Sequence, residues 1–401
     1  MLRVTCRLIF LSSMILILAM RAAPARAVAL FVVDDDGLDC PNPDTNTITD
    51  ALALAHGSPA TITVCPGFYP ETVVVNFEDS INLIAPNGAI LPAVTNETII
   101  VENSRNILVQ RFIIVGPSIV GAIRVTDSEN IVIDRNLIDG QNQNADNVMF
   151  SAIRYVNATG SITNNEIVGW HSINFTRQLH GISVEGNGGQ LVTIADNHIA
   201  DVDRVGINVL GDVLVEVNHN FIDSISPAPA GANFPSAITV WGAPGSVIRD
   251  NIIRSNAFPA AGEFIGIVAQ GDGTQVGLNH IEGASIGIVF SSIGSTFRKD
   301  RIAQNEILDT NRGIFILCIT PLHSSCSIAN LTVSNNVIVN KAVRGTVGIL
   351  LVASGNQFQM AVILRAVIRG NQVAHFTDGW LEQVGFNGKI IAAYANNKFT
   401  P

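Results

Sequence analysis

Apolar and polar residues alternate in short runs along most of this chain, a pattern that predicts β-strands. Around Asn136, one apolar residue lies three positions before the asparagine (Ile133) and another lies two positions after it (Ile138). Alternate residues of a strand point to the same face, so both flanks of Asn136 fit short strands that are joined by a bend. A helix would instead place apolar residues about every three to four positions.

The same phrase recurs along the chain, always with an apolar residue three positions before an asparagine and another two positions after it. The asparagines that follow Asn136 in this pattern are Asn165, Asn197, Asn220, Asn251, Asn279, Asn305, Asn336, Asn371 and Asn397. Their spacing varies from 23 to 35 residues, which is typical of a coil with variable loops. Each interval also holds a second apolar run, usually opened by Gly-Ile or Ala-Ile.

Coils of two or three short strands cannot bury their apolar faces alone, so successive coils are expected to stack. The pattern therefore predicts an all-β fold, a single-stranded parallel β-helix of about twelve coils. The asparagine column has a structural explanation, because asparagine tolerates the left-handed backbone of a sharp bend. Its amide group both donates and accepts, so the stacked side chains can hydrogen-bond to one another.

The first 27 residues have the organisation of a cleaved signal peptide. Arg3 and Arg7 form a basic start, Leu8 to Met20 form an apolar centre, and residues 25–27 (Ala-Arg-Ala) fit a cleavage site. We therefore expect a secreted or periplasmic protein, with a retained membrane tether as the alternative. No later apolar run approaches the roughly 18 residues that a membrane span requires, and the mean hydropathy of +0.36 fits an Ile/Val-rich interior.

Four cysteines remain after the predicted leader: Cys40, Cys65, Cys318 and Cys326. An even number in an oxidising compartment favours disulfides. Among the three possible pairings, proximity in sequence favours Cys40 with Cys65 and Cys318 with Cys326. No histidine accompanies either pair at metal-ligand spacing, so a zinc site is not expected.

The composition limits the classes of partner. With 401 residues, of which 47% are hydrophobic and 14% are charged, the chain can bury a large core as one elongated domain. The formal charge is −10, and no basic stripe is present. Nucleic acid is therefore not expected as a partner.

Residues 28–75 resemble the opening of exported right-handed β-helix proteins of the pectin-lyase-like superfamily. The resemblance lies in the run Val33-Asp34-Asp35-Asp36-Gly37 and in the later Pro66-Gly67-Phe68-Tyr69. It implies an N-terminal cap and first coil over residues 28–75 and a right-handed parallel β-helix over residues 76–401. Between the two motifs, Ile48, Leu52 and Ala55 share one helical face, which predicts a capping helix over the first coil. The superfamily hosts many activities, so the resemblance implies the fold alone.

The loops between the asparagine strand and the Gly-Ile strand vary most in length. They are long at residues 139–151, 169–180, 223–236 and 254–265. Equivalent loops of a solenoid leave from one side, so these four predict a wall along one lateral face. We expect a functional groove there, over the coils from Asn136 to Asn279.

Charged residues follow the asparagines by three or four positions and are expected to line up beside this wall. They are Asp139, Asp201, Asp223, Arg254, Glu282, Asp309 and His375. Paired carboxylates can act as acid and base in glycoside hydrolysis, bind Ca²⁺, or contact sugar hydroxyls. The alternative is that these aspartates are turn residues.

The loop that contains Trp170, His171, Arg177 and His180 is the most chemically concentrated stretch. It offers an aromatic ring for sugar stacking, two imidazoles, and a guanidinium group that can hold a carboxylate. Sealing of the loop against the body is the alternative role for Trp170. The predicted substrate-binding residues are Trp170, Asp139 and Arg254, and the predicted catalytic residues are His171, Arg177, His180, Asp201, Asp203, Arg204 and Asp223.

These observations predict an exported protein that binds a polysaccharide or other extended glycan, with or without cleaving it as a lyase or hydrolase. No cofactor is required by the sequence, and Ca²⁺ is the candidate if one is used. The alternative function is a non-catalytic surface or envelope protein that acts as a binding or adhesive rod. No amphipathic cap follows the last coil, so either the segment Gly379 to Val384 folds over the open end or that edge self-associates.

Overall fold

The computed structural model describes residues 28–93, 97–116, 121–141, 150–170, 179–225, 235–255, 264–293, 295–320, 325–341, 345–356 and 360–401. In these ranges the chain forms one helix and 39 strands. In chain order they are β1 (Ala29–Val33), α1 (Ile48–Ala55), β2 (Ala60–Val64), β3 (Gly67–Phe68), β4 (Val73–Asn76), β5 (Ile81–Ile84), β6 (Ala89–Pro92), β7 (Glu97–Glu102), β8 (Arg105–Gln110), β9 (Ile113–Val115), β10 (Gly121–Thr126), β11 (Glu129–Asp134), β12 (Leu137–Asp139), β13 (Phe150–Val156), β14 (Gly160–Thr163), β15 (Glu166–Trp170), β16 (Leu179–Ala195), β17 (His198–Val202), β18 (Val205–Asn218), β19 (Phe221–Asp223), β20 (Ser236–Trp241), β21 (Val247–Arg249), β22 (Ile252–Arg254), β23 (Ile265–Gln270), β24 (Gln275–Gly277), β25 (His280–Glu282), β26 (Ile286–Ile293), β27 (Thr296–Arg298), β28 (Arg301–Ala303), β29 (Glu306–Leu308), β30 (Arg312–Ile319), β31 (Cys326–Ala329), β32 (Thr332–Ser334), β33 (Val337–Val339), β34 (Gly345–Ser354), β35 (Ala361–Arg369), β36 (Gln372–Ala374), β37 (Phe376–Val384), β38 (Gly388–Ala395) and β39 (Lys398–Thr400).

The strands form two sheets that run the length of the molecule. The second sheet contains the strand that follows each bend, namely β3, β6, β9, β12, β15, β17, β19, β22, β25, β29, β33, β36 and β39, and the first sheet contains the other 26. Strands pair in parallel from one coil to the next, as between β8 and β11 or between β9 and β12. The predicted all-β parallel β-helix is confirmed.

The interior consists of aliphatic columns along the axis. Ile133 lies in register with Ile162, and that residue with Ile194; all three are fully buried. Each such side chain contributes roughly 1.5 to 3 kcal/mol on burial. The core is continuous from Val33 to Phe376, which accounts for the large share of apolar residues in the chain.

The bend between the sheets is stabilised by the asparagines in a way that differs from the prediction. The Nδ2 of Asn136 donates to the Oδ1 of Asn165 at 3.0 Å, and equivalent bonds continue coil by coil to Asn397. The residue before each asparagine adopts the left-handed backbone, with φ of 53° at Arg135 and 55° at Asp250, while the ladder asparagines do not. The amide groups thus stabilise the bend by hydrogen bonds, and the preceding residue supplies its left-handed backbone conformation.

Near the N-terminus, the predicted helix is present as α1. Its residues Ile48, Ala51, Leu52 and Ala55 are buried and pack toward β1, β2 and β4. The Oγ1 of Thr47 accepts the N–H of Asp50 at 3.1 Å and so caps the first turn. This helix has eight residues, and no helix in the described ranges is long and apolar enough to cross a membrane.

Both disulfides join the pairs that sequence proximity favours. Cys40 is bonded to Cys65 at the end of β2, and Cys318 in β30 is bonded to Cys326 in β31. At the other end of the chain, Gly379 to Val384 does not fold over the last coil. The segment lies within β37, which pairs with β34 and continues the first sheet. Self-association at this edge stays a prediction.

Candidate functional site

A cavity of about 510 Å³ lies on the outer face of the first sheet, over the strands from β16 to β30. Its floor is one column of side chains, each of which follows a buried isoleucine and therefore points outward. In order along the axis, the column is Asn208, Thr239, Val268, Val289 and Phe315. We call this space the lateral cavity.

The lateral cavity is elongated along the solenoid axis. On one side of the floor, Val205 and Arg312 occupy the same register position of strands β18 and β30. They are four strand spacings apart, which corresponds to about 19 Å. On the other side of the floor, Leu210, Trp241 and Leu317 line the cavity, and the Trp241 side chain is 42% exposed.

The middle of the cavity is apolar. Ile265, Ile286 and Val289 are buried, and Val268 and Phe315 pack against them in a cluster that is separate from the core. Outward positions of a solenoid strand face solvent unless something covers them, and a contiguous apolar patch there marks a binding site. The cluster has no role in closing the core, which is already complete beneath it.

The face changes character along the axis. In the preceding coils, the outward positions carry internal ion pairs, with Arg124 Nε at 3.0 Å from Glu97 and Arg154 Nη2 at 2.9 Å from Glu185. The same column then becomes polar and uncharged at Ser183 and Asn208 before it becomes apolar. The lateral cavity therefore begins in the coils that follow the last of these outward-facing ion pairs.

A guanidinium group lies toward each end of the cavity. Arg204 is 6% exposed. Burial lowers the pKa of its guanidinium group below the usual value, although the negative charge of Asp203 raises it in part. The guanidinium carbon of Arg312 lies 5.8 Å from the ring centroid of Phe315, a cation–π geometry. None of the ion pairs among the described residues involves Arg312.

His180 lines the cavity beside Arg204. It is 4% exposed, and its Nδ1 lies 3.4 Å from Ser151 Oγ. Burial lowers the pKa of His180 to about 3, and the positive charges of Arg204 and Arg154 add to the effect. The imidazole is thus neutral near pH 7, where it suits a hydrogen-bonding role better than the predicted proton exchange, for which a pKa near the working pH is needed.

One polar group on the floor has no partner. The Asn208 side chain is 5% exposed, and its Nδ2 makes no hydrogen bond to any described residue. A buried donor left without an acceptor costs about 1 to 3 kcal/mol. No aspartate or glutamate of the described ranges lines the cavity.

The structure separates the predicted site residues into several places. His180 and Arg204 meet in the lateral cavity, and Asp203 is buried next to Arg204. Trp170 is 6% exposed within the main core, so its ring packs against the body and is not a sugar platform. His171 and Arg177 lie outside the described residues.

Asp139, Asp223 and Arg254 lie on a different surface, the outer face of the second sheet. Asp139 and Asp223 share a register position but are separated there by Val168 and Ala200. Three strand spacings amount to about 14 Å, whereas the carboxylates of glycosidases are roughly 5 to 9.5 Å apart. Asp201 follows Ala200 and so falls outside this column. The continuous carboxylate row predicted from the sequence is therefore wrong.

On that surface, neighbouring side chains engage one another. The His198 ring stacks on Phe221 at 5.0 Å, and the Arg254 guanidinium carbon lies 5.7 Å from the same Phe221 ring. His198 Nε2 is 3.9 Å from Asp223, and Arg254 Nε is 3.7 Å from Glu282. Rings that stack along the axis expose only their edges to solvent. This arrangement therefore fits a row of side chains with alternating charge that stabilises the fold.

The residues that sequence reasoning missed are those on the cavity floor and rim, above all Asn208, Trp241, Val268 and Arg312. A signal existed. The residue after each buried isoleucine in the Gly-Ile phrase points outward, and this position changes from charged at Arg154 to apolar at Val268. The loops and aspartates on which the predicted site was based do not show that change.

Comparison with known proteins supports the architecture. A family model described as a right handed beta helix region matches residues 151–373. No curated protein matches the sequence. Solved structures that resemble the chain include the periplasmic alginate epimerase AlgG (10% identity, 85% of this chain and 77% of that chain, TM-score 0.41) and the GH136 lacto-N-biosidase from Eubacterium ramulus (9% identity, 92% and 68%, TM-score 0.47). The Dettilon tailspike protein is a further example (12% identity, 88% and 64%, TM-score 0.38).

Similarities this low assign no activity to this chain. The family model covers more than half of the sequence, and its description agrees with the stacked parallel strands. The chain belongs to the right-handed β-helix family.

Proposed function

We propose that this protein binds an extended anionic glycan in the lateral cavity. The observation that supports the proposal is the placement of Arg204 and Arg312 toward opposite ends of one cavity. Val205, which follows Arg204, and Arg312 are four strand spacings or about 19 Å apart. Guanidinium groups pair with carboxylates in a bidentate manner. Between and beside them, the rings of Phe315 and Trp241 offer apolar surface of the kind that packs against sugar rings.

Binding without cleavage is the activity that the cavity favours. The described lining contains no carboxylate pair of the kind that a glycosidase uses, and His180 is neutral at physiological pH. The same lack of carboxylates leaves Ca²⁺ without a charged ligand among the described lining residues. Non-catalytic binding is therefore the first candidate function of this protein, and cleavage of the glycan is the alternative.

Export is part of the proposal. The leader over residues 1–27 and the two disulfides fit a protein that folds in an oxidising compartment. In that setting a rigid solenoid with one lateral site would meet polysaccharides of the cell surface or its surroundings.

Affinity electrophoresis of the purified protein in gels that contain polygalacturonate, alginate or neutral dextran tests the proposal, with and without Ca²⁺. We expect retardation by the anionic polymers, weaker retardation at high salt because charge pairing is screened, and none by dextran. Arg312→Ala should weaken binding about tenfold, since one charge-assisted contact is lost. The matched control is Arg369→Ala, which removes an exposed arginine elsewhere.

Two results would contradict the proposal. Equal weakening by Arg369→Ala would show that binding depends on total charge rather than on the lateral cavity. Incubation with the same polymers, followed at 235 nm for unsaturated uronates and by a reducing-end assay, should give no signal. A signal in either assay would establish cleavage and replace the binding function by an enzymatic one.

A further inference from the structure

We propose that the ligand of the lateral cavity is an amphiphile, in which an anionic head group is joined to an apolar chain. The chain would lie against Ile265, Ile286 and Val289, and the anionic group would pair with Arg312. This inference rests on the proposed function for the location of the site. It goes beyond that function, because it adds a second class of ligand that would compete with an anionic glycan for the Arg312 end of the same cavity.

The apolar middle of the cavity is the first step. Ile265, Ile286 and Val289 are 5%, 6% and 8% exposed, and they form a cluster with Val268 and Phe315. An unsubstituted sugar chain carries hydroxyl groups around every ring, and burial of a hydroxyl group against aliphatic walls without a partner is unfavourable. Hydrocarbon burial in the same place is favourable in proportion to the area removed from water.

The polar groups at the ends are the second step. Asn208 and Phe315 are the first and last residues of the floor column, so the unpartnered Nδ2 of Asn208 lies about 19 Å from the Phe315 end, where Arg312 sits. An elongated ligand with an anion at one end would pair with Arg312, and its other end would lie beside the polar residue Asn208. The residues between the two ends are apolar and would pack against a hydrocarbon chain.

Size is the third step. The volume of about 510 Å³ lies within the range of pockets that bind small organic ligands. It suits a single apolar chain that is held lengthwise along the axis. The floor column supports this orientation, because its side chains repeat at the strand spacing and leave an unbranched channel.

Fluorescence of dansyl-labelled undecanoic acid tests the inference in the intact protein. Energy transfer from Trp241, which lines the cavity, would report binding at this site. Trp170, whose carbonyl oxygen accepts the N–H of Asp203 beside the cavity, would contribute a background transfer. We therefore expect Trp241→Phe to lower the transfer more than Trp380→Phe, a change in β37. Below their micellar concentrations, palmitate should displace the probe, and hexadecanol should displace it about tenfold less well for lack of the anion. Trigalacturonate, which can pair with Arg312 but leaves the apolar middle unfilled, should displace it at least tenfold less well than palmitate.

Variants separate the two parts of the ligand. Val268→Asp places a charge in the apolar middle and should abolish probe binding. Val268→Thr, which copies Thr239 of the preceding coil, should weaken it several-fold and guards against a folding defect. Arg312→Ala should lower palmitate affinity about tenfold but leave hexadecanol affinity unchanged, and Arg369→Ala should change neither. Thermal unfolding of each variant confirms that it is folded.

Failure of the inference is distinguishable from failure of the proposed function. Retardation by polygalacturonate without probe binding would overturn the amphiphile and leave the glycan proposal in place. Probe binding that survives Val268→Asp would show that the probe binds elsewhere and would likewise overturn the amphiphile. Probe and palmitate binding without any polyuronate binding would support the amphiphile and refute a plain anionic glycan.

Discussion

Asn220 donates two hydrogen bonds to one atom of Asn251. The acceptor is Asn251 Oδ1, and the donors are the Asn220 backbone N–H at 3.1 Å and its Nδ2 at 2.9 Å. Asn251 repeats both bonds toward Asn279, and its own Nδ2 also donates to the carbonyl oxygen of Val217 at 2.9 Å. One buried side chain therefore satisfies polar groups of three coils.

This sharing predicts a large cost for a small substitution. Asn251→Ala would leave both donors of Asn220 and the carbonyl of Val217 without these partners in a buried bend, so we expect a loss of about 2 to 4 kcal/mol in the free energy of unfolding. Urea denaturation measures it. Asn187→Ala, at an exposed position in β16, is the matched control and should stay within about 0.5 kcal/mol of wild type. Equal effects of the two changes would refute the role of the ladder.

The solenoid could be predicted from the sequence because the asparagine phrase repeats with apolar residues at fixed positions beside it. What the sequence did not reveal was which residue makes the bend. Asparagine is a common left-handed residue, so Asn136 was the natural candidate, yet Arg135 adopts that conformation. The amide of Asn136 instead points into the bend, where it bonds to Asn165 and to the carbonyl oxygen of Val109.

The candidate site was harder to predict, because it depends on register between coils. Asp139 and Asp223 follow their asparagines at the same spacing, but Val168 and Ala200 intervene in space. The lateral cavity arises from side chains that are single residues in sequence, such as Val268 and Val289, and only stacking brings them together. The four long loops lie mostly outside the described residues, so the groove expected beside them stays a prediction, and loop length could not indicate the apolar floor.

Leu278 makes the bend before Asn279 in a conformation that is unfavourable for its type. Its φ is 59°, and its side chain is 50% exposed. The same position holds Asn164 and Asn335 in other coils, also at positive φ. Asparagine tolerates this backbone better than leucine does, so Leu278→Asn should raise the free energy of unfolding by about 0.5 to 1 kcal/mol.

The control for this change is Leu191→Asn. Leu191 is also 50% exposed but lies within the extended strand β16, where asparagine is disfavoured, so no stabilisation is expected. Urea denaturation of both variants provides the measurement. Stabilisation by both would attribute the gain to loss of exposed apolar surface rather than to relief of the backbone.

Asp300 should make the protein less stable as the pH rises. Its side chain is 1% exposed; Oδ1 accepts the N–H of Thr274 at 3.1 Å, and Oδ2 has no partner among the described residues. Burial raises the pKa of Asp300 to about 7, and the neighbouring charge of Asp272 adds to the rise. The folded protein thus holds this proton more tightly than the unfolded chain, so stability is lost between about pH 4 and pH 7.

Asp300→Asn tests that prediction, because the amide keeps an oxygen for Thr274 and carries no charge. Relative to wild type, the variant should gain about 2 to 4 kcal/mol between pH 4 and pH 8. Asp309→Asn, at an intermediate position in another coil, provides the comparison. A difference from wild type that does not vary with pH would show that Asp300 is ionised in the folded protein throughout.

His180 should produce the opposite dependence in acid. Burial keeps its pKa at about 3 in the folded protein, whereas an imidazole in the unfolded chain titrates near 6.5. Between these values the unfolded chain binds one more proton, so stability falls as the pH drops, by about 1.4 kcal/mol per pH unit within the window.

His180→Gln keeps a neutral hydrogen-bonding side chain beside Ser151 and should flatten this slope by about one proton when urea denaturation is followed from pH 7 to pH 4. His219→Gln is the matched control for the loss of an imidazole, since Gln304 adopts the same bend position in another coil, and it should change the slope less. An NMR titration of His180 with a midpoint above about pH 5 would contradict the prediction, and it would restore the proton-exchange role that a neutral, buried imidazole does not support.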